Sequence, residues 1–556
     1  MRGTARRPRA SRAPRRIVRV GGVLAVAGLL AASGCLSTPH YSTHRTYYIS
    51  PQGDDRRDGL SPDEAWRSLK RLTGVQVNPG DRVLLKAGGK FAGPLELRQD
   101  DAGRADRPVT IGSYGTGRAV IDAAGTHGIA VYRTAGVDVR DLIIVGKGAS
   151  YTGKGGIHLY SDLPDDRKLD RVTVSGVDVS GFRVGIQVGG AAGRTGFKNV
   201  TVSNSVLHDN RDMGLFTFGP RFNATSPVYA HENVRISRVE TYNVMGDPSA
   251  DDHHTGNGIV LSSVNGATVA HSSAHDNGAR ASKEAGEGPV GIWAFDATRV
   301  VLQHNTAYRQ NSGSKVDGAG FGLDRNVSRS VIQYNLAFGN DGPGFQTYTN
   351  LKNGAHTNNV FRYNVSSDNG RLLPHRGGIS IQGKDIRDLY VYQNTVVLTN
   401  TAGQLGPAVR VTGEAHGVVV RNNLLVTDAS PVAVMDEDYS SQELSLQGNN
   451  YFSTDRRPVV LWDDQTYRDL NSWREETRQE SVGGRSTGLS TDPCFSGGAK
   501  PIVSAPDKAA LLVPKCNAME GKGVSLNTPF TVDPSFPDYF GKPTGTPPPV
   551  GAMRAR

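Results

Sequence analysis

Carboxylate and imidazole side chains are concentrated in short segments just before or just after glycine-led apolar runs. The loop 251–254 has the sequence DDHH, so two carboxylates and two imidazoles are adjacent. Like charges this close repel one another unless they are solvated, paired or bound to a ligand. A single aspartate in a turn is more often a turn former, whereas Asp324 directly follows an apolar run and is expected to point outward. The candidate catalytic residues are Asp324, Asp317, Asp252, Asp251, His253 and His254.

Hydrolysis of a glycosidic bond is one chemistry that fits these residues. It requires one carboxylic acid to protonate the leaving oxygen and one carboxylate to activate water or attack the sugar. Asp324 and Asp317 could supply this pair together with one of the loop aspartates, and a loop histidine could orient it. This reaction requires no cofactor.

β-Elimination from a uronic-acid polymer is the alternative chemistry. It requires neutralisation of the sugar carboxylate, often by Ca²⁺, and a lysine or arginine as base. The candidate Ca²⁺ ligands are Asp251, Asp252 and Asp317, and the candidate bases are Lys315, Lys283 and Arg410. Because carboxylates outnumber basic groups here, the sequence favours hydrolysis over elimination.

The elements that would position these groups form a repeat. Each unit between residues 256 and 349 has a glycine, an alternating apolar run, a turn, a second run and an asparagine. The steps between the successive asparagines are 30, 29, 30 and 29 residues, at Asn305, Asn335, Asn364, Asn394 and Asn423. A fixed period with strand-like alternation predicts a parallel β-solenoid, and the asparagines are expected to stack inside one turn as a hydrogen-bonded ladder.

The repeat resembles that of the right-handed parallel β-helix proteins of the pectin-lyase-like superfamily, roughly from Tyr47 to Val426. The resemblance implies an all-β solenoid of about ten or more rungs, with a short N-terminal capping helix and an irregular C-terminal cap. It also implies a carbohydrate-active protein, since the superfamily contains secreted lyases, glycoside hydrolases and epimerases. We predict a capping helix that starts at Ser61, a β-helix over residues 47–430, and a cap and tail over 431–556 whose last dozen residues are disordered.

The start of each rung predicts which residues point outward. The predicted rung starts are Gly128, Gly156, Gly185, Gly214, Gly258, Gly291, Gly320, Gly344, Gly378 and Ala408. Alternation from these starts directs aromatic rings towards solvent, where they could stack on sugars. The candidate substrate-binding residues are Trp293, Phe295, Phe216, Phe218, Gln346, Tyr348, Gln382 and Arg410, with Lys315, Glu284 and Glu287 from the preceding turns. A non-catalytic carbohydrate-binding surface solenoid would keep the rings without needing the carboxylates.

The first 34 residues are typical of a bacterial export signal, with eight arginines, no acidic residue and a short apolar run before Cys35. We predict lipidation of Cys35, a linker over 35–46 and a membrane-anchored protein at the cell surface; the alternative is an ordinary cleaved signal and secretion. Without these arginines the formal charge falls from +10 to +2, so a nucleic-acid partner is not expected. In an oxidising location, Cys494 and Cys516 are expected to form a disulfide. A polysaccharide partner and a monomeric state are also expected.

Overall fold

The computed structural model describes residues 44–148, 155–191, 193–314, 316–350, 356–373, 376–399, 406–428, 430–455, 457–515, 517–527, 529–530 and 536–555. The chain divides into two compact units, Met1–Thr43 and His44–Arg556, and the described residues all belong to the second. The predicted export signal and Cys35 therefore lie outside the described residues. No helix within these described ranges is long and apolar enough to cross a membrane.

Three parallel sheets, here called A, B and C, run the length of the second unit. Sheet A contains Leu95–Leu97, Ile129–Tyr132, Ile157–Ser161, Val184–Gly190, Met213–Phe218, Asn257–Ser262, Val290–Phe295, Ala319–Leu323, Phe345–Thr349, the start of Ile379–Tyr392, Val409–His416, Ala433–Met435 and Val460–Trp462. Sheet B contains Thr46–Ile49, Arg82–Lys86, Val109–Tyr114, Val137–Arg140, Lys168–Ser175, Gly196–His208, His231–Tyr242, Val264–Ala270, Thr298–Gln303, Val331–Gln333, His356–Arg362, the end of Ile379–Tyr392, Val418–Arg421 and Leu444–Gln447. Sheet C contains Lys90–Ala92, Ala119–Asp122, Leu142–Val145, Asp178–Ser180, the ends of Gly196–His208 and His231–Tyr242, Ser273–His275, Thr306–Tyr308, Leu336–Phe338, Val365–Ser367, Thr395–Leu398, Leu424–Thr427 and Asn450–Ser453.

Each strand pairs in parallel with the strand of the same sheet in the next rung, which confirms the predicted β-solenoid of about ten or more rungs; the structure has about 12 turns. In sheet A, Ile157 pairs with Ile186, which pairs with Leu215. The predicted inward residues are at most 1% exposed: Ile129, Ile157, Ile186, Leu215, Ile259, Leu261, Ile292, Leu323, Phe345, Ile379, Ile381, Val409 and Val411. Each such side chain contributes about 2 kcal/mol of hydrophobic free energy on burial, so the repeat itself builds the core.

A glycine lies within one residue of the start of each sheet A strand from Ile129–Tyr132 to Ile379–Tyr392, because the rungs stack closely there. A Cβ at Gly291 would lie 2.7 Å from the carbonyl oxygen of Gly320, and one at Gly320 would lie 2.8 Å from that of Gly344. Real Cβ atoms do not approach backbone oxygens so closely, so any larger residue would separate the rungs. The predicted rung starts are therefore positions of close backbone approach.

The asparagine ladder predicted from the period is present in the turn between sheets B and C. Asn335 Oδ1 accepts hydrogen bonds from the Asn305 backbone N–H (2.9 Å) and from Asn305 Nδ2 (3.0 Å). The same pair of bonds recurs between successive asparagines up to Asn423 and Asn449. Asn449 Nδ2 then donates to Glu480 Oε1 at 2.8 Å, which gives the last asparagine an acceptor.

The two ends of the solenoid differ from the sequence prediction. No helix starts at Ser61, whose hydroxyl accepts the Glu64 N–H and only closes a turn. A 3-10 helix spans Leu69–Gly74 instead. Asp55 accepts the N–H and the hydroxyl of Ser68, the residue that precedes this helix. Trp66, Leu69 and Leu72 of this segment are buried and belong to the core of the solenoid.

The C-terminal region contains an α-helix, Leu470–Thr477, and a 3-10 helix, Pro506–Leu512. Two short antiparallel pairings also occur there, Val460–Trp462 with Gln465–Tyr467 and Ser481–Val482 with Arg485–Ser486. Parallel pairing continues beyond residue 430, through Leu444–Gln447 and Val460–Trp462.

The expected disorder of the last dozen residues is wrong for the described part of the tail. Val550, Ala552 and Met553 are buried against Leu424 and its neighbours on sheet C. The Ala552 N–H also donates to Thr395 Oγ1 at 2.9 Å. The tail therefore covers apolar side chains on the outside of sheet C.

Candidate active site

A cavity of about 480 Å³ lies on the outer face of sheet A, beside the turns that precede four of the five successive strands from Asn257–Ser262 to Ile379–Tyr392. Those turns contribute His254, Glu287, Asp317 and Arg376. The segments therefore meet as expected from stacked rungs, although they are far apart in the chain. The residues suggested by the sequence that line the cavity are His254, Glu287, Trp293, Asp317, Asp324, Gln346, Tyr348 and Gln382.

The register of sheet A explains why these side chains share one wall. Trp293 pairs with Gly322 and Gly322 with Gln346, so outward positions of three rungs form one row. Gly322 has no side chain, and an added Cβ would lie 3.4 Å from Trp293 Cβ and 3.5 Å from Gln346 Cγ. The glycine therefore leaves open space in the row between a ring and an amide.

Asp324 follows the sheet A strand Ala319–Leu323 and is half-buried. Burial raises the pKa of its carboxyl to about 7, and the negative charges of Asp317 and Glu287 act in the same direction. The Arg325 backbone N–H, which donates to Asp324 Oδ1 at 2.6 Å, and the Arg325 charge partly oppose this rise in pKa. A large fraction of Asp324 is therefore protonated near neutral pH, as a general acid must be.

Asp317 has a different environment, although it lines the same cavity. Its Oδ2 accepts the Gly288 N–H at 2.9 Å, and its Oδ1 accepts Gln346 Nε2 at 3.0 Å. The Arg376 guanidinium forms an ion pair with the same Oδ1 at 3.2 Å. These donors fix the orientation of the carboxylate and offset part of its charge.

His254 forms part of the cavity wall over the indole of Trp293. The two rings meet edge to face, with their centroids 4.9 Å apart. Burial lowers the pKa of His254 to about 4, and the Arg325 charge lowers it further. The imidazole is therefore neutral at ordinary pH.

Sequence reasoning missed two cavity cations, Arg325 and Arg376. Arg325 lies over the Phe295 ring, 4.9 Å from its centroid, and pairs with Glu287 at 3.3 Å. A signal for Arg376 was available, because its turn precedes Gly378 in the same way that the turn of Asp317 precedes Gly320. Arg325 could have been found only as the neighbour of Asp324.

The expected row of solvent-facing rings is wrong for Trp293 and Phe295. Both point outward from the sheet, but they are only 3% and 9% exposed because the loop with His254 covers them. Phe216 and Phe218 are half-buried and stack on each other with centroids 5.6 Å apart. Neighbouring rings in the rungs therefore cover much of the aromatic faces that we expected sugars to contact, and neither Phe216 nor Phe218 lines the cavity.

Several other candidates lie outside the cavity lining. Asp252 is exposed and accepts from His253 Nδ1 at 2.6 Å, and Asp251 accepts from the Ser282 hydroxyl. Glu284 is exposed, and Arg410 pairs with Asp436 at 2.5 Å. The candidate residues that do not line the cavity are Asp251, Asp252, His253, Phe295, Phe216, Phe218, Glu284 and Arg410.

The suggested Ca²⁺ ligands do not come together. Asp317 is held by nitrogen donors inside the cavity, whereas Asp251 and Asp252 are on the exposed side of their loop. Within the described ranges, no group of three or more His, Cys, Asp or Glu side chains could hold a metal ion. Lys315 and Cys516 lie outside the described residues, so the Lys315 assignment and the Cys494–Cys516 disulfide stay predictions.

Residues 118–425, more than half of the chain, match the family described as the right handed beta helix region. The chain belongs to this right-handed β-helix family. A lacto-N-biosidase of Bifidobacterium longum subsp. longum is 24% identical over 454 residues, which cover 64% of this chain and 27% of that protein. The match thus spans little more than a quarter of the relative's length.

Two solved structures are also similar to the chain. The GH136 lacto-N-biosidase of Eubacterium ramulus is 19% identical, with a TM-score of 0.50 and coverage of 70% of this chain and 65% of that one. The pectate lyase Pel9A is 17% identical, with a TM-score of 0.41 and coverage of 93% and 97%. At such low identity the first likeness is evidence for the fold alone.

Proposed function

We propose that this protein is a glycoside hydrolase whose catalytic carboxyl groups are Asp324 and Asp317. The observation that carries the proposal is the difference between two carboxyl groups in one cavity. Asp324 is half-buried with its pKa raised to about 7, whereas Asp317 accepts hydrogen bonds from Gly288 and Gln346 and pairs with Arg376. Glycosidic cleavage requires two carboxyl groups with different roles.

In the proposed reaction Asp324 is the general acid. Its proton passes to the glycosidic oxygen as the bond to the anomeric carbon breaks, so the sugar leaves as a neutral alcohol. Asp317 either deprotonates the water molecule that attacks the anomeric carbon, or attacks this carbon itself to form a glycosyl ester, which a water molecule deprotonated by Asp324 then hydrolyses. Arg376 and Gln346 hold Asp317 in place for this step, because both donate to its Oδ1.

The similarity to lacto-N-biosidases supports a carbohydrate substrate and provides a first compound to test. Elimination by a lyase is less well supported by the arrangement of basic side chains. Of the suggested bases, Lys283 is exposed and absent from the cavity lining, and Arg410 is paired with Asp436. Export, with lipidation of Cys35, remains part of the proposal and rests on the leader sequence.

Product analysis tests the proposal directly. The purified protein would be incubated with p-nitrophenyl β-lacto-N-bioside and with panels of neutral and acidic oligosaccharides. We expect new reducing ends without an ultraviolet-absorbing double bond. An unsaturated product would show elimination instead, and binding without any product would identify a carbohydrate-binding solenoid.

Asp324→Asn then tests the role of the general acid. We expect the variant to lose about a thousandfold in kcat on a natural glycan, and much less on an aryl glycoside whose leaving group needs no proton. Equal losses on both substrates would contradict the assignment of Asp324 as the acid. Asp341→Asn is a suitable control, because Asp341 is a turn aspartate whose Oδ2 accepts the Ser312 N–H.

A further inference from the structure

Asn257 is fully buried behind the cavity wall, at the start of the sheet A strand Asn257–Ser262. Its Oδ1 accepts hydrogen bonds from the Val290 backbone N–H and from the Trp293 indole N–H, both at 2.9 Å. Backbone and indole N–H groups can only donate, so the atom that faces them must be the amide oxygen. The two donors therefore determine the orientation of the Asn257 amide.

The oriented amide in turn determines the tautomer of His254. Asn257 Nδ2 lies 3.1 Å from His254 Nδ1. An amide NH₂ group can only donate, so Nδ1 must accept the hydrogen bond and carries no proton. A neutral imidazole in this arrangement carries its proton on Nε2.

The Nε2–H of His254 is available to the cavity. Glu287 Oε2 lies 3.9 Å from Nε2, which is too long for a hydrogen bond, and both side chains line the cavity. The His254 side chain is 9% exposed and is held edge to face against Trp293 and Phe295. The charged or titratable groups that act on it are Glu287, Arg325, Asp317, His253 and Asp212. Burial and the Arg325 charge have the largest effects, and both favour the neutral ring.

We propose that Asn257 is a positioning residue that fixes His254 as the neutral Nε2–H tautomer and thereby gives the cavity a permanent N–H donor. This inference rests on the proposed function only for the identity of the ligand, which would be a carbohydrate that places a hydroxyl or carbonyl oxygen against this wall. Such a donor stays constant while the carboxyl pair exchanges protons, so substrate would be oriented in the same way at each stage of the reaction.

The tautomer can be measured without any substrate. Imidazole nitrogen NMR of protein labelled in histidine, with His254→Gln to assign the resonance, should show an Nε2–H tautomer that does not titrate between about pH 5 and pH 9. An Nδ1–H tautomer or a titrating ring would overturn the inference. Because this measurement does not depend on turnover, its result is separate from the success or failure of the hydrolase proposal.

Asn257→Asp is the most direct test, because it replaces the amide NH₂ group with a carboxylate oxygen and keeps the rest of the side chain. One carboxylate oxygen can still accept from Val290 and Trp293, while the other now requires a proton on His254 Nδ1. We expect His254 to become protonated or to change tautomer in the NMR spectrum. We also expect kcat/KM on the cleaved p-nitrophenyl glycoside to fall about 30-fold and to show an additional ionisation. An unchanged spectrum and pH profile would contradict the positioning role.

The His254 variants keep the test decisive if Asn257→Asp does not fold. A glutamine amide can place an N–H near the position of Nε2 without titrating, so His254→Gln should stay within about fivefold of the unaltered kcat/KM, whereas His254→Leu should lose at least about tenfold. In Asn257→Asp, adding His254→Gln should remove the additional ionisation. Equal losses in the Gln and Leu variants would show that the imidazole only fills space.

Discussion

The asparagine ladder and the cavity edge of sheet A are built on the same rungs but follow opposite rules. In the ladder, each asparagine from Asn305 to Asn423 makes the same pair of bonds to the next rung. At the cavity edge, the corresponding turns of four rungs contribute His254, Glu287, Asp317 and Arg376, which are four different residue types. Repeating the same asparagine in each rung provides hydrogen-bond partners for buried backbone groups. Placing a different residue in each rung at the cavity edge brings acidic, basic and cationic side chains together.

The largest effect that distinguishes the two regions is expected for Asp317→Asn. Removing the carboxylate should lower kcat about a thousandfold, because no other group at that position can act on the anomeric carbon. The midpoint of unfolding should change little, since an asparagine can still accept the Gly288 N–H. Steady-state kinetics and thermal unfolding of the same preparation would measure both. Retained turnover would remove Asp317 from the mechanism.

The reverse outcome is expected for Asn364→Ala in the ladder. Asn364 Oδ1 accepts the Asn335 N–H at 3.0 Å, and its Nδ2 donates to the Ile332 carbonyl at 2.9 Å. The variant leaves these buried groups without partners and should lose about 3 kcal/mol of stability. Denaturant unfolding would measure this loss beside Asn471→Ala, an exposed position on the C-terminal helix. A kcat that fell together with stability would show that the two regions are not separable.

The pH dependence of kcat/KM should identify Asp324 and the charges around it. A general acid must be protonated, so activity should fall as the pH rises through about 7, the pKa of Asp324. Glu287→Gln removes a charge that raises this pKa, and should move the alkaline limb down by about half a pH unit. Arg325→Met removes a charge that lowers the pKa, and should move the limb up. Shifts in the same direction would contradict the electrostatic assignment.

The stability of the folded protein should decrease with rising pH, because the buried Asp324 carboxyl group is unfavourable when it ionises. The folded pKa of Asp324 is above its unfolded value, so the folded protein binds the proton more tightly and loses stability as the pH rises from about 4 through 7. Asp324→Asn cannot ionise, and should raise the melting temperature at pH 8 by about 2 °C relative to its effect at pH 5. An equal effect at both pH values would argue against a raised pKa.

The smallest effects are expected for Asp251→Asn and Asp252→Asn. Both carboxylates are exposed and outside the cavity lining, so kcat/KM should change by less than about twofold. Turnover assays with and without a chelator would measure this. Loss of activity in either variant, together with chelator sensitivity, would favour the metal-dependent lyase and contradict the proposal that the protein is a glycoside hydrolase.

The sequence by itself determined the solenoid, its rung starts, its inward residues and the asparagine ladder. These features depend on spacing along the chain, because each rung repeats the same local pattern of alternation and close glycine contact. It also placed Asp324, Asp317, Trp293 and Gln346 near one another, since residues one period apart must stack.

Only the tertiary structure decided which of these groups share the cavity and in what state. Sequence order could not show that the loop 251–254 directs His254 inwards and Asp252 outwards, or that this loop covers Trp293. It could not show that Asp324 is half-buried while Asp317 is held by Gly288 and Arg376. Burial and hydrogen bonding depend on neighbours from other rungs and loops, and these neighbours set the pKa and the orientation on which the proposed chemistry rests.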